Sequence, residues 1–246
     1  MADVIEVSKP GVQYYADRIR SGIPFSFVRY ADGCLRVVVP GLMLSERLRY
    51  TPCRLEIEEL CETFVHAWQD ENYVVGLLDV HLFKKWDAGY VIGWIRNNMP
   101  DLCWHASGVW TTALMSGTLY PIVRAIREQP LPLVLVGPEC IAGIGKVAHL
   151  DVKQHIVTHF TKAWVDRHAV LKEMADVRGP AFFALSAGPV TKFAIYRAWP
   201  WIGHQSFMID FGSVWNAFTR PCRKFHHKLP QKILDKCLGV QSADSA

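Results

Sequence analysis

Four short stretches carry residue types able to hold an anion and move a proton. Arg29-Tyr30-Ala31-Asp32-Gly33-Cys34 closes an apolar run. A charged pair in that place is costly unless the two groups satisfy each other or face a cleft. In a cleft, Arg29 would bind phosphate oxygens, Asp32 would hold a cation that in turn holds a diphosphate, and Gly33 would let the backbone approach the ligand. As a purely structural feature, Arg29 and Asp32 form an ion pair. In Cys103-Trp104-His105-Ala106-Ser107-Gly108-Val109-Trp110, His105 at a strand end reads as a general base, as a donor to phosphate, or as a satisfied half-buried histidine. Trp110 stacks on a base or sugar ring, or fills the core. Ser186-Ala187-Gly188 precedes a helical pattern, where small residues either leave N–H groups open to an anion or make a tight turn. Asp210, with Ser213 three residues on, caps the following helix or serves as a base.

Such residues need a scaffold that brings strand ends together. Leu131–Val136, Ala181–Leu185 and Phe207–Ile209 are short apolar runs without alternation, the pattern of strands buried on both faces. They end in Gly137-Pro138, Ser186-Ala187-Gly188 and Asp210-Phe211-Gly212-Ser213. Further strands are expected at Phe25–Tyr30, Tyr73–Leu78 and Leu102–His105. Helices are expected at 10–21, Arg54–Gln69, Asp87–Asn98, Thr118–Gln129, 160–176, 189–199 and 213–218. Leu55, Leu60, Cys61, Phe64 and Trp68 mark the apolar face of the second, and Asp87 opens the third. Alternating strands and helices imply a mostly parallel sheet, which binds ligands at the carboxyl ends of its strands. A parallel sheet would place Asp32, Gly137, Gly188 and Asp210 on one rim. The expected fold is a single Rossmann-like α/β domain with helices flanking that sheet. His155 and His159 lie in a strand-like run without the Glu of a zinc helix, and Gly143-Ile144-Gly145-Lys146 lacks P-loop spacing. No G-x-G-x-x-G follows a strand, which argues against a dinucleotide oxidoreductase.

Composition narrows the class further. Of 246 residues, 50% are apolar and 20% charged, a globular balance with enough apolar content for a core. No apolar run approaches the ~18 residues of a membrane span, and MADVIEVSKP has no signal-peptide pattern. Seven scattered cysteines without a C-x-x-C pair read as free thiols, mostly core residues, in a reducing cytoplasm. Residues 219–246 hold six basic and two acidic side chains, which accounts for the whole net charge of +4. That places a basic tail at 219–246 behind a domain at 1–218. Arg220, Arg223, Lys224 and Lys228 are then either a solvated end or a contact for a polyanion.

The first stretch resembles the R-[FY]-G-D-G-E signature of the GT-D-type glycosyltransferases, a Rossmann-like family. Met115-Ser116-Gly117-Thr118-Leu119 resembles the family's "sGel" helix start, Leu133–Pro138 its "vvlVGp" strand, Ser186-Ala187-Gly188-Pro189 its "saGp" turn, and Ile209–Asn216 its "iDiGsvwD" strand end. The order agrees over roughly 20–218. Three positions depart: Ala31 stands for the first Gly, Cys34 for the Glu of the acidic pair, and Asn216 for the last Asp. The resemblance implies transfer of a sugar from a nucleotide-diphosphate sugar, such as a UDP-sugar, to a hydroxyl acceptor. Asp32, His105 and Asp210 would be catalytic, with His105 or Asp210 taking the acceptor proton. Arg29, Gly33, Gly137, Ser186, Gly188, Ser213 and Trp110 would bind the donor. A divalent Mn or Mg would rest on Asp32 alone, because a Cys34 thiol is a poor partner for either ion. Hydroxymethylated DNA bases suit the basic tail as acceptor, and a glycan on lipid or protein suits the resemblance. A non-catalytic nucleotide-binding module with a decayed site is the remaining reading.

Overall fold

The computed structural model describes residues 5–41, 53–78, 88–99, 103–160, 162–219 and 229–240, with Asp32 and Ala88 described by backbone alone. The strands are β1 (Val7–Ser8), β2 (Ser26–Tyr30), β3 (Tyr73–Leu77), β4 (Trp104–Ala106), β5 (Leu133–Pro138), β6 (Val152–Thr158), β7 (Phe182–Leu185) and β8 (Phe207–Asp210). The helices are α1 (Val12–Arg20), α2 (Asp32–Val38), α3 (Arg54–Val65), α4 (Ala88–Asn98), α5 (Val109–Ser116), α6 (Tyr120–Glu128), α7 (Ile144–Val147), α8 (Arg167–Asp176), α9 (Pro189–Ala198) and α10 (Gln231–Leu238). One eight-stranded sheet runs in the order β1-β4-β3-β2-β8-β7-β5-β6, and every strand pair in it is parallel. β2, β3, β5, β7 and β8 are buried at every position, as the unalternating apolar runs of β5, β7 and β8 require.

The helices sort by direction of travel. Connections that step toward β1 carry α2, α3, α4, α8 and α9 onto one face, where they pack with Val28, Tyr30, Val75 and Met208. Connections that step toward β6 carry α1, α5, α6 and α7 onto the other, with Phe27, Val74, Leu135 and Ile209. A single crossover hand produces this split. After β8 the chain turns to the second face, where Val214, Trp215 and Phe218 are buried. The chain after β2 turns to the first. A crevice therefore opens at the carboxyl ends of β2 and β8, where ligands of such sheets bind.

Several expectations need correcting. Leu55 is 47% exposed and Trp68 lies beyond the end of α3, also exposed. The face that packs instead carries Glu56, Leu60, Thr63 and Phe64, a stripe rotated toward the core's actual position. Met115-Ser116 ends α5 rather than starting a helix, and Gly117 at φ 73° closes it in the left-handed conformation. Residues 32–38, read only as the stop of a strand, form α2. Part of the segment assigned to a tail folds back: α10 lies on α5 and α6, with Leu234, Cys237 and Leu238 in the second core. Cys34 and Cys237 are buried free thiols, but Cys53 and Cys103 are exposed, and Cys140 is disulfide-bonded. Asp87 lies outside the described residues. Among the described residues no helix is long and apolar enough to cross a membrane.

Candidate functional site

Four adjacent strands, the last of them bordering the crevice, share one register row. Parallel register aligns Ser8, His105, Gly76 and Arg29 in one row across β1, β4, β3 and β2. Gly76 lets its neighbours close over that row: a Cβ there would press on the Phe27 ring at 3.0 Å and on Ser107 Cα at 3.1 Å. The largely buried Arg29 donates from Nε to the Ser107 carbonyl at 2.6 Å. Its guanidinium also fills the space beside Gly212, where a Cβ would collide with it. Gly212 has φ 58°, a conformation that favours glycine, so the turn after β8 is shaped around Arg29.

Asp210 ends β8 and is 0% exposed. Its Oδ2 accepts from Lys192 Nζ at 2.6 Å, and its Oδ1 accepts from the Gly212 N–H at 2.8 Å. Its carbonyl accepts from Trp110 Nε1 at 3.0 Å. Lys192 sits in the first turn of α9 with a side chain 6% exposed. It also donates to the Gly188 carbonyl at 3.1 Å. Gly188 takes φ 60° and ψ −130°, a conformation almost closed to residues with a Cβ, so its place before Pro189 is dictated by backbone geometry. Nearby, Thr191 Oγ1 accepts from the Ala187 N–H at 3.1 Å. The Ser186 and Ser107 hydroxyls are buried with no partner among the described residues, a condition native proteins seldom leave unexplained.

His105 lies on the second face, with Nδ1 2.7 Å from the Tyr15 hydroxyl. Tyr14 stands beside it, ring centroids 6.0 Å apart and 44% exposed. Burial, with Arg18 next, pushes the imidazole pKa down, and burial pushes the Tyr15 phenol well up. His105 is therefore the neutral imidazole and Tyr15 the protonated phenol near neutral pH.

The other expected residues fall as follows. Trp110 is 0% exposed, wedged against Tyr15, Phe27 and Phe211. It offers no face for stacking on a ligand, so that expectation is corrected: its indole supports the Asp210 backbone instead. Gly137 is buried where a Cβ would strike Ile141 at 2.7 Å and approach the Ser186 carbonyl at 3.3 Å; it lets the β5 and β7 ends close up. Gly33 and Ser213 are exposed at the rim. Asp32 is the first residue of α2, its side chain outside the description. Arg220, Arg223, Lys224 and Lys228 lie outside the described residues. Sequence reasoning missed Lys192, whose partner lies 18 residues away on another element.

The described donors do not fit a metal site. Among the described residues no group of three or more His, Cys, Asp or Glu could hold an ion. Both Asp210 oxygens are engaged by the protein, and Cys34 packs within the first core.

No family model matches the chain, and no curated protein does. Solved structures do. A glycosyltransferase (DUF1792) from Streptococcus sanguinis superposes with a TM-score of 0.65 at 15% identity, over 86% of this chain and 83% of its own. A structure of domain of unknown function 1792, described as having a distinct glycosyltransferase fold, gives the same TM-score and identity over 86% and 80%. The eight-stranded parallel sheet and its flanking helices are thus the GT-D fold of the DUF1792 structures.

Proposed function

We propose that the protein is a glycosyltransferase acting on a nucleotide-diphosphate sugar. The observation that carries this reading is Arg29, held by Ser107 and Gly212 at the β2–β8 crevice of a sheet with this fold. In the reaction the acceptor oxygen forms a bond to the anomeric carbon while the bond from that carbon to the diphosphate oxygen breaks. The bonding pair leaves with the diphosphate, and the acceptor proton passes to a base. The transition state resembles an oxocarbenium ion by analogy with glycoside hydrolysis, so catalysis rests on stabilising charge on the leaving group. Arg29 supplies bidentate hydrogen bonds to it, and the Gly188 turn presents backbone close to the same place. His105 takes the acceptor proton at Nε2, with Nδ1–H donating to Tyr15 Oη. Asp210, fully buried and fully engaged, forms the floor of the site rather than a base. Asp32, the first residue of α2, is the further residue placed toward the diphosphate.

The acceptor carries a hydroxyl. The basic residues after 219 support a polyanion such as hydroxymethylated DNA, and the fold likeness supports a glycan. The test is release of nucleoside diphosphate from a panel of nucleotide sugars, with hydroxymethylated DNA or glycans as acceptors, each with and without Mn. Wild type should turn over one donor, and Arg29→Met should lose about tenfold or more, the worth of one charge-assisted contact. Donor binding without transfer to any acceptor would leave a non-catalytic module. Binding of no nucleotide sugar would end the proposal.

A further inference from the structure

We infer that Lys192 is a donor-binding residue, giving a hydrogen bond and its positive charge to the diphosphate from the side opposite Arg29. This rests on the function proposed above and adds to it. A buried ion pair is weak evidence for stability, since desolvation offsets most of the attraction, so its location asks for another reason. The pair lies at the carboxyl end of β8, the strand bordering the crevice. An ammonium has three donors. Lys192 uses one on Asp210 Oδ2 and one on the Gly188 carbonyl, and the third has no acceptor among the described residues. The Ser186 hydroxyl, on the loop that carries Gly188, is buried and equally without a partner. The unspent ammonium donor, beside a glycine in a side-chain-excluding conformation, forms the kind of surface that takes an oxyanion.

The faces fix the geometry. Arg29 lies on the face of Phe27, and Asp210 with Lys192 on the face of Met208. A diphosphate in the crevice would have a guanidinium on one side and an ammonium on the other. Asp210 compensates the Lys192 charge at Oδ2. The carboxylate thereby acts as a positioning group, setting the Lys192 head against α9.

The test is calorimetric titration of UDP, GDP, ADP and dTDP, with uridine as a probe lacking phosphate. Removing Lys192 alone strands a buried carboxylate, so the informative protein is Lys192→Gln with Asp210→Asn, which keeps a hydrogen-bonded pair without charge. The diphosphate that wild type prefers should bind this protein about tenfold or more weakly and with a shallower salt dependence. Uridine affinity should be unchanged, which a merely structural lesion would not give. A second readout needs no variant: in wild type labelled with 15N-lysine, the Lys192 Nζ resonance should shift on adding the diphosphate. Equal diphosphate affinity in the two proteins, or an unmoved Nζ resonance in a saturated complex, overturns the inference and leaves the glycosyltransferase reading standing. Failure of wild type to bind any nucleoside diphosphate overturns both.

Discussion

His105 is the residue whose surroundings most directly set a pH response. Its imidazole is disfavoured as a cation by burial and by Arg18, so its folded pKa lies below the ordinary value of 6.5. The unfolded chain then binds more protons at mildly acidic pH. The stability this group contributes is complete above 6.5 and is lost as pH falls through the folded value. Urea midpoints for wild type should therefore drop between pH 7 and pH 5 by more than those of His105→Asn, and parallel curves would show that His105 binds protons equally in the folded and unfolded chain. The strand-end positions of His105, Arg29 and Asp210 were legible because charged or polar residues that end apolar runs have few places to go. Their partners were not. Tyr15 is 90 residues from His105, Ser107 is 78 from Arg29, and Lys192 is 18 from Asp210. Local spacing reports which residue stands at an end and is silent on what meets it there. Trp110 shows the same limit, because an indole reads alike whether its ring is wedged among aromatics or open to a ligand.

At the scale of elements, unalternating runs identified β5, β7 and β8, since burial on both faces leaves a continuous apolar signature. α2 and α10 were hidden. α2 has seven residues in which Leu35, Val37 and Val38 are all buried, so it lacks the polar face that marks an amphipathic helix. α10 lies in a segment whose positive charge dominates its reading, yet it buries Leu234, Cys237 and Leu238. Arg127 ties it down by donating to the Leu238 carbonyl at 3.1 Å, and Gly239 closes it at φ 72° against the Tyr120 ring. It is part of the domain. Leu234→Ala should lower unfolding free energy by about 2–5 kcal/mol, the range for emptying a buried leucine site. A change under about 0.5 kcal/mol in chemical denaturation, typical of surface substitutions, would mean that α10 is an appendage.

For the whole molecule, the place of β8 matters most. It is the last described strand in sequence, yet it lies between β2 and β7 and makes the only sheet pairing among the described residues between the two halves. One half is β1-β4-β3-β2 and the other β7-β5-β6. Until residue 207 is available, each half ends in an apolar edge with unpaired N–H and C=O groups, the condition that invites association between chains. A chain stopped at 206 should be insoluble or aggregated on expression, and a monomeric, cooperatively folded product in gel filtration and thermal unfolding would contradict that. The same geometry sets an order of events on the ribosome. Domains emerge at ~5–20 residues per second, so the β2 edge, ending at Tyr30, waits for synthesis to reach Phe207 before β8 can cover it. Arg29 and Asp210, which end neighbouring strands, take up their shared place only at that closure. The crevice is thus assembled last, and a chaperone that shields β2 during synthesis would be guarding the future site as well as the sheet.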